Sequence, residues 1–431
     1  MYCHELDPAS LSIQSLGLPR WPSPLRARYY DYTAISYYAE VTDIERCFRH
    51  DQPLPAFEAA GPRSQLFFNP ADTRCGIVSC GGLCPGINDV IRAIVYEAYL
   101  RYGVREVLGF RYGYRGMDQA NTIAAVSLTT DAVMDIHEKG GSMLSASRGG
   151  LSAPAVVDTL EQMGISILFT IGGDGTLRGA AAICDEIARR DLPIAVVGVP
   201  KTIDNDICFV ERTFGFDTAV EASRSVLQSA HVEAKGHENG VGLVKLMGRD
   251  SGFIAAQATI ANADVNFCLV PEIAFALEGE RGLFAQLERR LARRQHAVIV
   301  VAEGAGQDLI AAESLFEPEV DASGNVLKQD IGRFLKDKIA AYFAGRQIPM
   351  TIKYIDPSYI IRSQRANAAD SLFCLQLGQH ALHAGMAGRT RMLVGYWNHN
   401  FTHVPIDLAT RQRKKLDPEG RLWQTVLSTL G

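Results

Sequence analysis

The sequence predicts an α/β protein in which largely parallel sheets are covered on both faces by helices. Two observations indicate this class: short apolar runs recur along the chain, and segments with helical spacing of apolar residues lie between many of them. The length sets the number of domains, because 431 residues at about 100 to 200 residues per domain make two or three compact units.

The elements can be assigned in chain order. Residues 1–72 contain several prolines and little periodicity, which predicts an extension wrapping a domain, with a short helix near 41–49. After it, helical spacing connects the apolar residues between Val90 and Ala98, and a second helix is predicted over 177–190. The predicted strands are the apolar runs 76–80, 107–109, 165–171, 194–199, 241–247, 267–270 and 297–302.

Composition narrows the class of protein. The chain is 47% hydrophobic and 21% charged with a formal net charge of −5, so we expect a soluble protein that binds neither nucleic acid nor an anionic membrane. No apolar run approaches the roughly 18 residues that span a bilayer, and the first residues lack the pattern of a secretory signal, which predicts a cytoplasmic location. Nine cysteines are too dilute for a disulfide scaffold and are expected to be reduced.

Two glycine-rich loops follow predicted strands, where ligands bind in open α/β sheets. Gly81 and Gly82 lie between a strand and a helix, so they allow a phosphate to approach the backbone; a tight turn without a ligand is the alternative. Gly173, Asp174, Gly175 and Thr176 follow the run 165–171. Asp174 offers a hard oxygen ligand for Mg²⁺, or it merely caps the helix beginning near residue 177.

A third loop carries two carboxylates and a lysine. It runs Pro200-Lys201-Thr202-Ile203-Asp204-Asn205-Asp206 after the strand 194–199. In an extended chain Asp204 and Asp206 would share one face, so that one acts as a base while the other organises charge or metal. Polar turn residues without chemistry are the alternative.

Further candidates follow later strands. Met247, Gly248 and Arg249 lie at the end of the predicted strand, directly after residues 241–246, and Arg249 offers a cationic fork for phosphoryl oxygens. Glu303 follows the run 297–302 and can accept hydrogen bonds from sugar hydroxyls. Tyr359 and Arg362 are three residues apart, so on one helical turn they would face the same way and hold a distal phosphate.

Taken together, these loops resemble the 6-phosphofructokinase family. Recognisable segments run from about Cys75 to Trp423. Their sequence resembles most the long-chain branch of trypanosomatid ATP-dependent enzymes and pyrophosphate-dependent relatives. The resemblance implies two Rossmann-like domains with mostly parallel sheets sandwiched by helices, plus the N-terminal extension. It places a phosphoryl-donor domain at 73–212, a fructose 6-phosphate domain at 213–364, and a C-terminal segment, 365–431, that returns to the donor domain.

The resemblance also implies roles. Asp204 matches the base that deprotonates the sugar 1-hydroxyl, Asp206 its partner carboxylate, and Thr202 a residue near the transferred phosphate. Asp174 matches the Mg²⁺-associated aspartate, and Arg249 stabilises charge on the moving group. The donor positions are Gly81, Gly82, Arg148, Gly173, Gly175, Thr176 and Lys201. The positions for fructose 6-phosphate are Met247, Gly248, Arg249, Glu303, Tyr359 and Arg362. A homotetramer or homodimer is also implied.

The resemblance leaves the donor open between ATP and pyrophosphate. In the family an aspartate at the position of Gly175 marks pyrophosphate users, so glycine here favours ATP. Lys201 is typical of pyrophosphate users, although trypanosomatid-like ATP enzymes combine this glycine with this lysine. Ser145 departs from the usual glycine, so a donor-side loop is expected to differ in shape. Two rival interpretations are an NAD or lipid kinase, and a non-catalytic sugar-phosphate sensor on the same fold.

Overall fold

The computed structural model describes residues 8–31, 33–36, 41–120, 123–147, 149–313 and 327–430. They form two compact units. Unit 1 contains the described residues up to Thr202, together with Ile207–Gly215 and Ser363–Arg413. Unit 2 contains Ile203–Asp206, Phe216–Arg362 and the described residues from Lys414 onward.

The strands, in chain order, are β1 Gln14–Ser15, β2 Trp21–Pro22, β3 Ala34–Ser36, β4 Ala56–Ala59, β5 Gln65–Leu66, β6 Arg74–Ser79, β7 Glu106–Phe110, β8 Val126–Ser127, β9 Ile167–Gly172, β10 Ala195–Pro200, β11 Gly240–Leu246, β12 Phe267–Leu269, β13 His296–Ala302, β14 Thr351–Ile355, β15 Arg389–Thr390, β16 Met392–Trp397 and β17 Asn400–Pro405. The helices are α1 Val41–Arg49, α2 Ile87–Tyr96, α3 Ala153–Met163, α4 Asp174–Arg189, α5 Phe216–Lys235, α6 Phe253–Asn262, α7 Leu283–Arg294, α8 Gln307–Glu313, α9 Ile331–Gly345, α10 Ser358–Arg362, α11 Ala368–Met386, α12 Ile406–Ala409 and α13 Arg421–Thr429.

Unit 1 is built on a nine-stranded sheet in the order β3-β4-β17-β16-β10-β9-β6-β7-β8. The five inner strands from β16 to β7 run parallel, whereas the pairs at both edges are antiparallel. Every residue of β9 and β10 is buried, as expected for strands covered on both faces. The carboxyl ends of β6, β9 and β10 therefore lie side by side at one edge of this sheet.

Helices cover both faces of this sheet. Leu168 of β9 belongs to a core cluster with Leu177 and Ile183 of α4. On the opposite face, Gly385 of α11 lies so close that an added Cβ would be 2.7 Å from the Cγ2 of Ile167. Alternating side chains of one strand thus pack against different helices, which is the sandwich that the apolar runs predict.

Unit 2 contains a four-stranded parallel sheet in the order β12-β13-β11-β14. Leu243 of β11 packs in a cluster with Leu287 of α7 and Leu335 of α9. The opposite face of β11 lies against α5, because a Cβ added at Gly242 would be 2.8 Å from the carbonyl oxygen of Ala230 in that helix. This sheet, too, is enclosed between helices.

The α/β class is confirmed, with local differences from the predicted elements. Helix α1 lies where it is predicted, and the extension also supplies β3 and β4 to the large sheet. Strands β14, β16 and β17 were missed by the apolar-run criterion. The predicted C-terminal segment, 365–431, is divided between the units: its residues up to Arg413 belong to unit 1, and those from Lys414 onward belong to unit 2, where α13 packs against α6.

Candidate active site

The first loop of unit 1 follows β6 and is tied down by a lysine. Gly81 has a left-handed φ of +85°, and the buried Lys201 donates a 2.7 Å hydrogen bond from Nζ to the Gly82 carbonyl. Gly86, with φ +100°, leads into α2, and a Cβ there would lie 2.5 Å from the Sγ of Cys374. The loop shape therefore depends on glycine at these positions.

The second loop places Asp174 inside the first turn of α4, with Gly173 as the N-cap. The alternative that Asp174 merely caps a helix beginning near residue 177 is wrong, because the helix begins at Asp174 itself. Its carboxylate contacts Arg178 one turn later and lies 3.7 Å from Nη2 of Arg413. A Cβ added at Gly175 would meet nothing within 4 Å, so open space lies beside this turn.

Hydrogen bonds to main-chain carbonyls hold the unit 1 loops together. Lys201 N–H donates to the Gly172 carbonyl at 2.9 Å, and Thr213 donates from Oγ1 to the Thr202 carbonyl at 2.7 Å. Thr176 is buried and accepts at its carbonyl from the Tyr114 hydroxyl at 3.0 Å. Arg148 lies outside the described residues. We call this set of loops, 81–82, 173–176 and 201–202, the donor half-site.

The donor half-site offers a single carboxylate to a metal. No group of three or more metal-ligating side chains occurs among the residues that the structure describes. Mg²⁺ typically takes one or two protein carboxylates and fills its octahedron with substrate phosphates and water. Asp174 therefore fits a Mg²⁺ ion that arrives together with a phosphorylated ligand.

In unit 2, Asp204, Asn205 and Asp206 form a buried turn. Asn205 has a left-handed φ of +54°, so the expectation of an extended segment is wrong. The main chain is held by hydrogen bonds from Ser251 Oγ to the Asp204 carbonyl at 3.1 Å and from Lys414 N–H to the Asp206 carbonyl at 2.8 Å. The two carboxylates are nevertheless close enough to interact, as the electrostatics show.

The pKa of the Asp204 carboxyl group is raised towards neutral pH. Burial, followed by the negative charges of Asp206 and Glu303, raises its pKa to about 7. The Arg362 charge and a 3.3 Å hydrogen bond from the Arg249 N–H oppose this rise. A carboxylate with such a pKa can accept a proton near physiological pH, which is the requirement for a general base.

The loops after β11 and β13 are interlocked. Gly248 has φ +129°, and its carbonyl accepts from the Gly304 N–H at 3.0 Å. A Cβ at Gly304 would lie 1.9 Å from the Arg249 carbonyl oxygen, so a side chain has no room there. Met247 is fully buried and Glu303 follows β13. The interlock fixes the backbone of Arg249 against that of Glu303.

Helix α10 brings one of its two candidates to this cluster. Arg362 is half-buried, and its charge acts on Asp204. Tyr359 is 86% exposed, and its shared phosphate contact with Arg362 stays a prediction. We call Asp204, Asp206, Arg249, Glu303 and Arg362 the acceptor half-site.

Sequence reasoning missed Glu272, which supports the acceptor half-site. Its half-buried carboxylate accepts from the Gly252 N–H at 3.0 Å and from the Leu416 N–H at 2.8 Å. Burial raises its pKa. The signal available in the sequence was an acidic residue three positions beyond the short strand β12.

Two predictions from composition meet structural facts. The eight cysteines in the described part of the chain are free, and seven of them are buried. In the part of the chain that the structure describes, no helix is long and apolar enough to cross a bilayer.

Comparison with known proteins places these loops in context. The chain is 46% identical to the ATP-dependent 6-phosphofructokinase of Borreliella burgdorferi, covering all of this chain and 98% of that protein. It is 49% identical to the enzyme of the same name from Amycolatopsis methanolica, covering 97% and 94%. With the Trypanosoma brucei brucei enzyme the identity is 47%, covering 86% and 75%.

Solved structures agree in fold. The crystal structure of a pyrophosphate-dependent phosphofructokinase from Marinobacter aquaeolei aligns with a TM-score of 0.67 at 18% identity, covering 83% of this chain and 91% of that one. The sequence profile of the phosphofructokinase family matches residues 74–385. The strand-end loops, the close relatives and this profile agree: the chain belongs to the phosphofructokinase family.

Proposed function

We propose that this protein is an ATP-dependent 6-phosphofructokinase, which transfers the γ-phosphoryl group of ATP to the 1-hydroxyl of fructose 6-phosphate and yields fructose 1,6-bisphosphate and ADP in glycolysis. The observation that carries the proposal is Asp204: a buried carboxyl group with a pKa near 7, beside Asp206, Glu303 and Arg362. Its position matches the family's catalytic base, and relatives at 46–49% identity are named for this reaction.

The reaction follows from the groups of the two half-sites. Asp204 accepts the proton of the sugar 1-hydroxyl as the oxygen bonds to the γ-phosphorus, and the bond from that phosphorus to the ADP oxygen breaks. Asp206 sustains the proton affinity of Asp204 through its negative charge. Arg249 stabilises the charge that spreads over the phosphoryl oxygens, and Thr202 lies near the transferred group. Asp174 would hold Mg²⁺, which supplies charge neutralisation to the donor phosphates.

The open space at Gly175 supports ATP as the donor. The α-phosphate needs room that an aspartate would fill and repel, and no atom lies within 4 Å of a Cβ placed there. Lys201 supports pyrophosphate as the second candidate. Its ammonium, however, donates to the Gly82 carbonyl, so in this structure it serves the shape of the loop.

The proposal extends to assembly and location. A homotetramer or homodimer and a cytoplasmic location accord with the family resemblance. Mass measurement by light scattering at several protein concentrations tests the oligomeric state.

The test of function is steady-state phosphorylation of fructose 6-phosphate with Mg²⁺, comparing ATP with pyrophosphate. We expect fructose 1,6-bisphosphate to form with ATP alone. Turnover with pyrophosphate alone would mean that Lys201 outweighs Gly175. Absence of turnover with both donors, while sugar phosphate still binds, would favour the non-catalytic sensor.

A further inference from the structure

A basic segment near the C-terminus lies outside the part of the chain that the family profile matches. We define it as residues 411–416, Arg-Gln-Arg-Lys-Lys-Leu. In sequence alone, such a run is typical of a solvated surface. In the structure its main chain is held by contacts at Arg413, Lys414 and Leu416.

Three contacts of its main chain, two with other main-chain groups and one with a side chain, set the register of the basic segment. Arg413 forms an antiparallel β-bridge with Ile207, and the Lys414 N–H donates to the Asp206 carbonyl at 2.8 Å. The Leu416 N–H donates to the Glu272 carboxylate at 2.8 Å. The position of Arg413 is therefore determined by the stretch of chain that directly follows Asp204.

The side chain of Arg413 reaches the donor half-site. Its Nη2 lies 3.7 Å from Oδ2 of Asp174, and it is 25% exposed. Arg178 contacts the same carboxylate oxygen, but it is 59% exposed and comes from the next turn of α4. The Asp174 carboxylate therefore has two arginine neighbours, Arg178 and Arg413.

We propose that Arg413 is a further residue of the donor half-site, where its guanidinium binds phosphate oxygens of the nucleotide; this inference rests on the proposed function. A polyphosphate retains negative charge after it binds one Mg²⁺, and a planar guanidinium matches two phosphate oxygens at once. Asp174 would hold Mg²⁺ on the donor phosphates, and the guanidinium of Arg413 lies beside that carboxylate. In this arrangement Arg178, which lies one turn later in α4, remains the ion-pair partner of Asp174.

The test compares Arg413→Met, Arg413→Lys and the control Arg411→Met by titration calorimetry. Arg411 lies in the same segment, is exposed, and belongs to neither half-site. We expect Arg413→Met to weaken binding of Mg²⁺-ATP by roughly 10- to 100-fold, the range for loss of a charged hydrogen bond, without a change for fructose 6-phosphate. The control should bind both ligands like the wild type.

A second titration, of ATP in EDTA without Mg²⁺, separates direct contact from an effect through Asp174. Direct contact predicts that Arg413→Met weakens metal-free binding as well; unchanged metal-free binding would overturn the proposal. Arg413→Lys keeps the charge and loses the fork, so we expect binding between those of the wild type and the methionine variant. Should Arg413→Met not fold, lysine-variant binding equal to the wild type would overturn the proposal.

The proposed function fails separately, in the wild-type protein. If the wild type neither binds Mg²⁺-ATP nor phosphorylates fructose 6-phosphate, the proposed function is wrong before any variant is compared. If the wild type does both and Arg413→Met matches it, only the role of Arg413 is wrong.

Discussion

The donor half-site and the acceptor half-site are built from different materials. The donor half-site in unit 1 uses mainly backbone. It contains Gly81 with its left-handed φ, the buried Lys201 that donates to the Gly82 carbonyl, and one carboxylate, Asp174. The acceptor half-site in unit 2 uses side-chain charge: three carboxylates and two arginines, with strong effects on a single pKa.

This difference matches the chemistry that each half-site performs in the proposed function. Donor phosphates bring their own charge and metal, so the protein must leave room and offer N–H groups. A sugar hydroxyl needs a proton acceptor near neutral pH, and an ordinary aspartate is too weak a base. Burial and neighbouring charge raise the pKa of Asp204 to the required range.

The largest expected effect comes from removing the base. Asp204→Asn should lower kcat by roughly 10²- to 10⁴-fold, the range for a positioned general base. Because the amide keeps the shape of the side chain, binding of fructose 6-phosphate should survive, as measured by titration calorimetry. Near-wild-type turnover in this variant would remove Asp204 from the mechanism.

The same variant should be more stable at alkaline pH. The folded pKa of about 7 lies above the usual aspartate value, so the folded chain binds more protons between about pH 4 and 7. The free energy of unfolding of the wild type therefore falls as pH rises through that range. We expect Asp204→Asn to unfold at a higher temperature at pH 8, by about 1 to 3 kcal/mol in stability, and to match the wild type at pH 4.

The second largest effect tests the donor half-site. Gly175→Asp should weaken use of ATP by roughly 10²-fold, because a carboxylate there repels the α-phosphate at a cost of several kcal/mol. The fold should be unaffected, since the added Cβ meets no atom within 4 Å. Gly175→Ala is the matched control, with KM for ATP within a few-fold of the wild type. Equal ATP kinetics in both variants would contradict the assignment.

The smallest expected effect concerns the donor-side loop. Ser145 has a left-handed φ of +56°, a conformation that glycine adopts without strain. Ser145→Val should destabilise the protein by about 1 kcal/mol, because a β-branched residue fits this region poorly, whereas Ser145→Gly should be nearly neutral. Thermal unfolding of the two variants measures the difference. A valine variant as stable as the glycine variant would show that the loop can change its conformation.

Much of this arrangement could be predicted from local sequence patterns. The buried strands β6, β9, β10, β11 and β13 are apolar runs, and the loops that follow them carry the candidate residues. The resemblance to the family added roles for those residues. Strand β14 was not predicted because Lys353 interrupts its apolar pattern. Every residue in this strand is at least partly exposed.

The remainder depends on contacts between distant parts of the chain. The sequence alone does not show that the chain turns at Asn205, because the carbonyls on either side of it accept hydrogen bonds from Ser251 and Lys414, which are distant in sequence. The assignment of residues from Lys414 onward to unit 2 follows from contacts with Asp206 and Glu272. The position of Arg413 beside Asp174 could not be predicted for the same reason, since its partners Ile207 and Asp174 are more than 200 residues away in sequence.

The central claim is that neighbouring charges tune Asp204, and one measurement tests it most directly. The pH dependence of kcat/KM for fructose 6-phosphate, compared between the wild type and Asp206→Asn, reports on ionisations of the free enzyme. Ionisation of the substrate contributes equally to both profiles, so their difference belongs to the protein. We predict that the wild type loses activity as pH falls through about 7, and that this loss moves to lower pH in Asp206→Asn, because the variant lacks a charge that raises the Asp204 pKa. Coincident profiles would contradict the account.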